Sequence, residues 1–328
     1  MTENNDRNLM IRDALKEAMS EEMRLDPNVL LMGEEVGGYN GAYKCSKGML
    51  DEFGDKRVID TPIAETGFAG IGIGAAMMGL RPIVEFMTFN FSLIAIDQIL
   101  NTAAKAKYMS AGEINCPIVF RGANGPMHQL GAQHCNAFES FYANTPGLTV
   151  IAPSTPYDMK GLLKSSIRSD NPVIFMEAEK TYSTRGYVPE EEYLIPIGVA
   201  DVKKEGSDVT LISWSKSVFI ALELAEKLAE SGVSAEVVDL RTLRPLDTQT
   251  IFNSVAKTNR AVIIQDSTSV ASYGSYVAQL ISTEIFDELD APVQVVSSLE
   301  VPMPYSKSLE AVVWPNIDRC MEAVSKIL

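Results

Sequence analysis

The chain alternates short unbroken apolar runs with segments in which apolar residues recur at helical spacing. A first helix is predicted in "LMIRDALKEAMSEEMRLD", where apolar side chains recur every three or four positions until Asp26-Pro27 ends the pattern. Strands are predicted at "NVLLMGEE", "RPIVEFM", "CPIVFRGA", "GLTVIAPS" and "NPVIFMEA". Further helices are predicted at 66–79 (buried), 91–109 and 155–169. Short apolar strands separated by helices are typical of a parallel sheet covered on both faces.

The regular alternation stops at residues 179–198 and then resumes. This segment, "EKTYSTRGYVPEEEYLIPIG", mixes charge, Gly and Pro without a sustained period, so it predicts a linker. Strands follow at "DVTLISWS", "SAEVVDL", "RAVIIQD" and "PVQVVSS", and helices at 216–232, 248–259, 275–288 and 315–327. Gly232 stands where a C-terminal capping glycine is expected. We therefore predict two α/β domains, residues 1–190 and 191–328.

Composition and charge disfavour several kinds of partner and cellular location. The 328 residues are 46% hydrophobic and carry a net charge of -15, which disfavours nucleic acid and anionic membranes as partners. The longest uncharged apolar runs, near 66–80 and 86–96, are shorter than the ~20 residues of a membrane helix. The start "MTENNDRNLM" lacks the apolar core of a secretory signal. Four scattered cysteines without a Cys-x-x-Cys pair favour a reducing compartment, so we expect a cytoplasmic protein.

The stretch "VIDTPIAETGFAGIGIGAAMMGLRP" sets a lone acid, Glu65, before a glycine-rich apolar run. A dinucleotide fingerprint fails here, because the frame from Gly70 ends in Ala75 and the frame from Gly72 ends in Met77. No Walker-type loop occurs either. The residues alone leave two interpretations open: Glu65 complements the N-terminus of a buried helix, or it is a catalytic acid in an apolar pocket.

Longer motifs carry a resemblance that covers nearly the whole chain from about residue 8. They include "MGEEVGGYNGAYKCSKGMLDEFGDKRVIDTPIAETGFAG", "EFMTFNFSLIAIDQI", "CPIVFRGANG", "LGAQH", "PGLTVIAPSTPYDMKGLLKSSIR", "DLRTLRPLD" and "VPMPY". These motifs follow one another in the same order and without large gaps in the beta subunits of the pyruvate dehydrogenase decarboxylating component, which they resemble. These are members of the thiamine-diphosphate-dependent 2-oxo acid dehydrogenase family, which is transketolase-like.

The resemblance implies a fold and a set of partners. It implies a pyrimidine-binding parallel-sheet α/β domain followed by a transketolase C-terminal α/β domain. The Gly-Asp-Gly signature that holds Mg²⁺ and the diphosphate in such enzymes is absent. The resemblance therefore implies that an alpha subunit holds the Mg²⁺ and shares the thiamine diphosphate, in an α2β2 heterotetramer that also binds a dihydrolipoyl acyltransferase core. Neither nucleic acid nor membrane is an expected partner.

Three site residues are carried over from the family motifs. Glu65 in "TPIAE" corresponds to the acid that bonds a nitrogen of the cofactor aminopyrimidine, and Phe91 in "EFMTFNF" to the aromatic stacked on that ring. Phe91 could instead be core packing, since Phe86, Phe89 and Phe91 alternate as in a half-buried strand. His134 in "LGAQH" corresponds to the histidine that faces the substrate or the lipoyl arm, although a loop histidine is more often structural. The neighbouring Cys135 is interpreted as a neutral departure, and His128 as incidental.

Other family features are matched less closely. A monovalent cation, usually potassium, is bound mainly by backbone carbonyls, at positions that match Ile118, Ser166, Ile167, Ser169 and Asn171. The family usually has Asp where Ser169 stands, and Asp170 could compensate. The pair Glu34-Glu35 is either near the cofactor or a solvated acidic turn. The segment 265–276 lacks the acidic pair and Trp-Pro element of relatives, so partner contacts there could differ.

These features together predict a beta subunit of pyruvate dehydrogenase. With an alpha subunit it would catalyse the oxidative decarboxylation of pyruvate on thiamine diphosphate and transfer the acetyl group to a lipoyl domain. Alternative substrates are branched-chain 2-oxo acids or acetoin. A non-catalytic binding module of the same fold is a more distant alternative, disfavoured because Glu65 and His134 are both present. An NAD-dependent dehydrogenase is disfavoured by the broken fingerprint.

Overall fold

The computed structural model describes residues 7–328 and divides the chain into two compact units. Residues 1–6, on which part of the expectation about a secretory signal depends, lie outside this range. The first unit contains the residues up to 124 together with 141–151 and 155–197. The second contains 125–140, 152–154 and 198–328. Within residues 7–328, no helix combines the length and the apolar character needed to cross a membrane.

The secondary structure alternates as the hydrophobic pattern predicts. The strands are β1 (Asn8–Met10), β2 (Val29–Gly33), β3 (Val58–Asp60), β4 (Arg81–Thr88), β5 (Val119–Asn124), β6 (Thr149–Ile151), β7 (Val173–Ala178), β8 (Arg185–Tyr187), β9 (Asp201–Lys204), β10 (Val209–Ser213), β11 (Ala235–Asp239), β12 (Thr242–Arg244), β13 (Ala261–Ile264) and β14 (Gln294–Val296). The helices are α1 (Ile11–Leu25), α2 (Met49–Phe53), α3 (Glu65–Met77), α4 (Ala106–Met109), α5 (Glu139–Ala143), α6 (Pro156–Arg168), α7 (Ser217–Glu230), α8 (Thr248–Thr258), α9 (Tyr273–Glu284), α10 (Lys307–Val313) and α11 (Ile317–Ser325).

The first unit is built on a parallel sheet in the order β6-β7-β5-β4-β2-β3. Every residue of β5 and of β7 is buried, as expected of strands covered on both faces. The predicted parallel α/β fold is thus confirmed. Residues 179–197 pack on this unit: β8 pairs with β1, and the Tyr193 ring stacks on Tyr157 with the centroids 4.5 Å apart.

Helix α1 packs against α6 through both apolar and charged contacts. The apolar side of α1 is fully buried, as its spacing predicts. Lys160 and Lys164 of α6 are also buried, and each donates to a carboxylate oxygen of Glu21, at 2.8 and 2.6 Å. Because a buried ammonium group is costly unless it is paired, these bonds fix how the two helices dock.

Helix α3 is less buried than its composition predicts. Only one face lies on the sheet: a Cβ at Gly72 would come within 2.8 Å of Val84 Cγ2. On the other face Ile71 is 66% exposed, and no atom of another described element lies within 4 Å of a Cβ built at Gly74. The helix predicted to be buried is therefore buried on one face and exposed on the other. Helix α3 is apolar on all sides, but this unit offers only one sheet surface to pack on, so its other face has no partner among the described residues.

The segment predicted as a single helix over 91–109 is broken into three pieces. It contains a 3₁₀ helix at Phe91–Ala95, a π-helical turn at Gln98–Ala103 and the short helix α4. Periodicity indicates helical character but cannot distinguish these hydrogen-bond patterns.

The second unit contains a five-stranded sheet in the order β14-β13-β10-β11-β9. Strand β9 runs antiparallel to β11, whereas the other pairs are parallel. Residues from α7, α11 and the central strands form its core, and Gly232 follows α7 at φ +79°, where a glycine has no steric penalty.

Candidate functional site

Glu65 is the first residue of α3, and its side chain is buried although it is an acid. It lies in the first turn, where the positive end of the helix dipole stabilises an anion. The next residue fixes this end of the helix, because Thr66 Oγ1 donates to Ile94 O at 2.7 Å. The start of α3 is thereby tied to the 3₁₀ segment that begins at Phe91.

Glu34 lies close to Glu65 and is also buried. It directly follows β2, the strand that neighbours β3 in the sheet. Among the described residues, Glu34 Oε1 has no hydrogen-bond partner. Burial raises the pKa of Glu34, and the charge of Glu65 raises it further. Glu35, by contrast, is exposed at φ +59°. The "MGEEVG" turn therefore holds one buried acid and one solvated acid.

The two buried carboxyl groups lie close together. They follow neighbouring parallel strands, at the carboxyl edge where α/β sheets bind ligands. The charge of Glu65 favours the protonated form of Glu34. Glu34 Oε1 is buried without a hydrogen-bond partner among the described residues, so it is a polar atom that a ligand could satisfy. The pair suits a ligand with basic ring nitrogens, such as an aminopyrimidine.

The backbone after Glu34 is held by Asp60. Its carboxylate accepts from the backbone N–H groups of Gly37 at 2.6 Å and of Gly38 at 2.8 Å. A Cβ at Gly37 would come within 3.1 Å of the same carboxylate. Farther along, Ser46 Oγ donates to Val36 O at 2.6 Å. The aspartate of the "DTPI" motif thus fixes the loop that carries Glu34.

The three phenylalanines of "EFMTFNF" do not share one environment. Phe86 and Phe89 are fully buried, and the Phe86 ring stacks on that of Phe120, 6.0 Å between centroids. Phe91 is only partly buried, at the start of the 3₁₀ segment. Core packing therefore accounts for Phe86 and Phe89 but does not fully account for Phe91.

A buried ionic cluster lies across three neighbouring strands, and the sequence reasoning did not identify it. Arg121 on β5 donates through Nε to Glu177 Oε1 at 2.6 Å and is also paired with Glu85 on β4. Tyr182 Oη donates to Glu177 Oε2 at 2.7 Å. Burial raises the pKa of Glu85, Arg121 opposes that rise, and Glu177 adds to it. Charged residues inside three otherwise apolar strand patterns, Glu85, Arg121 and Glu177, are the signal that could have found these side chains, although not their pairing.

His134 belongs to the second unit, in a loop closed by a bond from Gly125 N to Asn136 O at 3.0 Å. It is partly buried, whereas His128 is exposed. Cys135 is buried. Within residues 7–328, no group of three or more His, Cys, Asp or Glu side chains is arranged to hold a metal ion.

The expected cation site already contains a positive side chain. Its five positions are Ile118, Ser166, Ile167, Ser169 and Asn171. Arg81 Nη1 donates to Ile167 O at 3.1 Å and to Ser169 O at 3.0 Å. Its Nη2 donates to Asp170 at 2.6 Å, so Asp170 is engaged by the guanidinium. Each carbonyl oxygen retains a second lone pair. Two of the five expected positions, Ile167 and Ser169, have carbonyls that already accept from a guanidinium.

Comparisons with known proteins agree with the fold. The family described as transketolase, pyrimidine binding domain, matches residues 7–184, and the transketolase C-terminal domain matches 198–320. A solved structure, "Split gene transketolase, inactive beta4 tetramer", is similar with a TM-score of 0.79 and 21% identity, covering 98% of each chain. At that identity it supports the fold alone.

Curated relatives are much more similar in sequence. "Pyruvate dehydrogenase E1 component subunit beta" of Rickettsia felis is 50% identical over 97% of this chain and 98% of its own length. The mitochondrial subunit beta-1 of Arabidopsis thaliana is 50% identical, covering 96% and 88%, and the mitochondrial subunit beta of Caenorhabditis elegans is 50% identical, covering 98% and 92%. The resemblance predicted from the motifs is thereby confirmed: this chain belongs to the family of pyruvate dehydrogenase E1 component beta subunits.

Proposed function

We propose that this chain acts with an alpha subunit in the thiamine-diphosphate-dependent oxidative decarboxylation of pyruvate, followed by acetyl transfer to a lipoyl domain. The observation that carries the proposal is the buried pair of Glu65 and Glu34, in which Glu34 Oε1 has no partner among the described residues. The names of the relatives at about 50% identity support the same function.

Thiamine diphosphate, when bound, supplies a carbon nucleophile and an electron sink for loss of carbon dioxide. Glu65 is the proposed acid that exchanges a proton with a nitrogen of the aminopyrimidine. Glu65 lies in the first turn of α3, and the buried Glu34, whose pKa is raised by burial and by the charge of Glu65, lies close to it. Phe91 is proposed to stack on the pyrimidine ring, and His134 to face the substrate or the lipoyl arm.

The proposed assembly is an α2β2 heterotetramer in which the alpha subunit holds Mg²⁺ and the diphosphate. The missing Gly-Asp-Gly signature supports this division. The apolar face of α3 around Ile71, exposed in the isolated chain, supports a partner subunit. A dihydrolipoyl acyltransferase core is the proposed acceptor of the complex. The two family matches support a pyrimidine-binding domain over 1–190 and a C-terminal domain over 191–328.

We further propose weak potassium binding at the carbonyls beside Arg81. A surface cavity of about 420 Å³ is lined in part by Arg81 and Ile167. Replacing potassium by choline should then change activity only slightly, and an Arg81→Gln variant should depend more strongly on potassium. We also propose a cytoplasmic location, for which the scattered, buried cysteines are the support.

Reconstitution with the alpha subunit tests the function. The purified pair should bind thiamine diphosphate with Mg²⁺ in titration calorimetry, whereas this chain alone should not. Pyruvate should be decarboxylated faster than branched-chain 2-oxo acids or acetoin. NAD binding to the isolated chain, or cofactor binding without an alpha subunit, would contradict the proposal.

A further inference from the structure

The loop that carries His134 is a compact unit, here called the histidine loop and defined as residues 125–136. Its ends meet through the bond from Gly125 N to Asn136 O. Met127 is fully buried near one end and Cys135 is buried near the other, while residues 128–130 are exposed. Loops with close ends and buried anchors hold a defined shape on the surface.

The Tyr305 ring packs against this loop at Gly131. A Cβ built at Gly131 would come within 2.2 Å of Tyr305 Cε1 and 2.3 Å of Cζ, so the ring lies directly against the glycine backbone. Gly131 is also at φ +76°, where other residues are strained. Two independent constraints therefore require glycine at this position. A second contact joins the same segments, because Gln129 Nε2 donates to Tyr305 O at 3.4 Å.

A backbone hydrogen bond links Gly131, which contacts Tyr305, to His134. His134 N donates to Gly131 O at 3.3 Å, so the two residues form one turn. Tyr305 stands in "VPMPY", after Pro302 and Pro304, whose fixed φ angles stiffen the segment that presents the ring. The ring is itself 67% exposed, so it adds little to the core. The contact of the Tyr305 ring with Gly131 instead helps to hold the histidine loop in position.

We propose that Tyr305 is a positioning residue for His134, acting through Gly131. This inference rests on the proposed function, in which His134 faces the substrate or the lipoyl arm. Without the ring, the loop can move at Gly131, and the imidazole leaves its productive position. Misplacement of a catalytic group by about 1 Å can lower a rate on the order of 100-fold.

The test uses the assembled α2β2 enzyme, with a lipoyl domain as acceptor. Tyr305→Ala should lower kcat for acetyl transfer by about 10- to 100-fold. Its melting temperature and affinity for thiamine diphosphate should match those of the wild type. Tyr305→Phe keeps the ring and should restore kcat to within about twofold. Leu309→Ala, which removes another exposed side chain of this region, is the matched control and should behave as wild type.

A double-mutant cycle separates positioning from a general structural role. His134→Ala combined with Tyr305→Ala should be no slower than His134→Ala alone, since the ring would have nothing left to position. Multiplied losses in the double variant, or a wild-type kcat for Tyr305→Ala, would overturn the inference. A wild-type kcat for His134→Ala would instead overturn the role proposed for the histidine, and the inference with it. The two failures are therefore distinguishable.

Discussion

Replacing Arg121 with methionine should destabilise the first unit strongly and in a pH-dependent way. The side chains of Arg121, Glu85 and Glu177 are 1%, 6% and 0% exposed, so solvent cannot replace a lost partner. Methionine fills similar space but leaves two buried carboxylates facing each other. Removing one partner of a buried ion pair costs about 3–5 kcal/mol. That is a large share of the roughly 5–15 kcal/mol by which folded domains are stable.

The sign of the pH dependence follows from the pKa of Glu85. Burial raises this pKa above its ordinary value of 4.5, and Arg121 is the group that opposes the rise. Without Arg121 the pKa of Glu85 should rise further. Between the unfolded and folded pKa values the folded state then binds more protons, so stability falls as pH increases. The deficit of Arg121→Met relative to wild type should be largest near pH 8 and shrink toward pH 5.

Urea denaturation followed by far-UV circular dichroism at the two pH values measures this difference. Glu85→Gln is the matched control: it removes the carboxylate with the raised pKa and keeps the pairing of Arg121 with Glu177. It should cost less than Arg121→Met, about 1.5–3 kcal/mol, the scale of one hydrogen bond to a charged group, because Arg121 keeps Glu177 as its counterion. The reasoning would be refuted if the free energy of unfolding of Arg121→Met were within about 1 kcal/mol of wild type at pH 8. A stability deficit that grows toward pH 5 would also refute it.

Two further predictions concern helices. Gly72→Ala should destabilise by about 1–2 kcal/mol in urea denaturation, because crowding against Val84 outweighs the gain in helix propensity. Gly74→Ala, two positions away with open space, should stabilise by up to about 1 kcal/mol, and equal effects at both positions would contradict the packing. Thr155→Ala removes the N-cap of α6, whose Oγ1 accepts from Asp158 N at 3.2 Å. It should lower the free energy of unfolding by about 0.5–2 kcal/mol, and an unchanged value would exclude a capping role.

Much of the fold could be predicted from the sequence because its parallel strands are buried on both faces. Such strands appear as continuous apolar runs, as in "CPIVFRGA" and "NPVIFMEA". Helix α1 was equally predictable from its single apolar stripe. The exposed face of α3 was not, because a helix that is apolar all round gives no indication of which face the chain itself covers.

The candidate functional site could be predicted from the sequence only in part. The motif places Glu65 at a helix start, and the structure has it there. The burial of Glu34 beside an exposed Glu35 depends on a left-handed backbone at one residue, which spacing does not reveal. The pairing of Arg121 could not be predicted, for a different reason. Its partners are set by the strand order β4-β5-β7, and that order is a property of the folded sheet.

The proton-exchanging role of Glu65 is the central claim, and Glu65→Gln in the reconstituted enzyme tests it most directly. Glutamine keeps the size of the side chain but cannot exchange a proton. Pyruvate decarboxylation should fall by about 100- to 10,000-fold, the range typical of general acid–base catalysis. Thiamine diphosphate binding and the melting temperature should stay close to wild type. A turnover within twofold of wild type would contradict the claim.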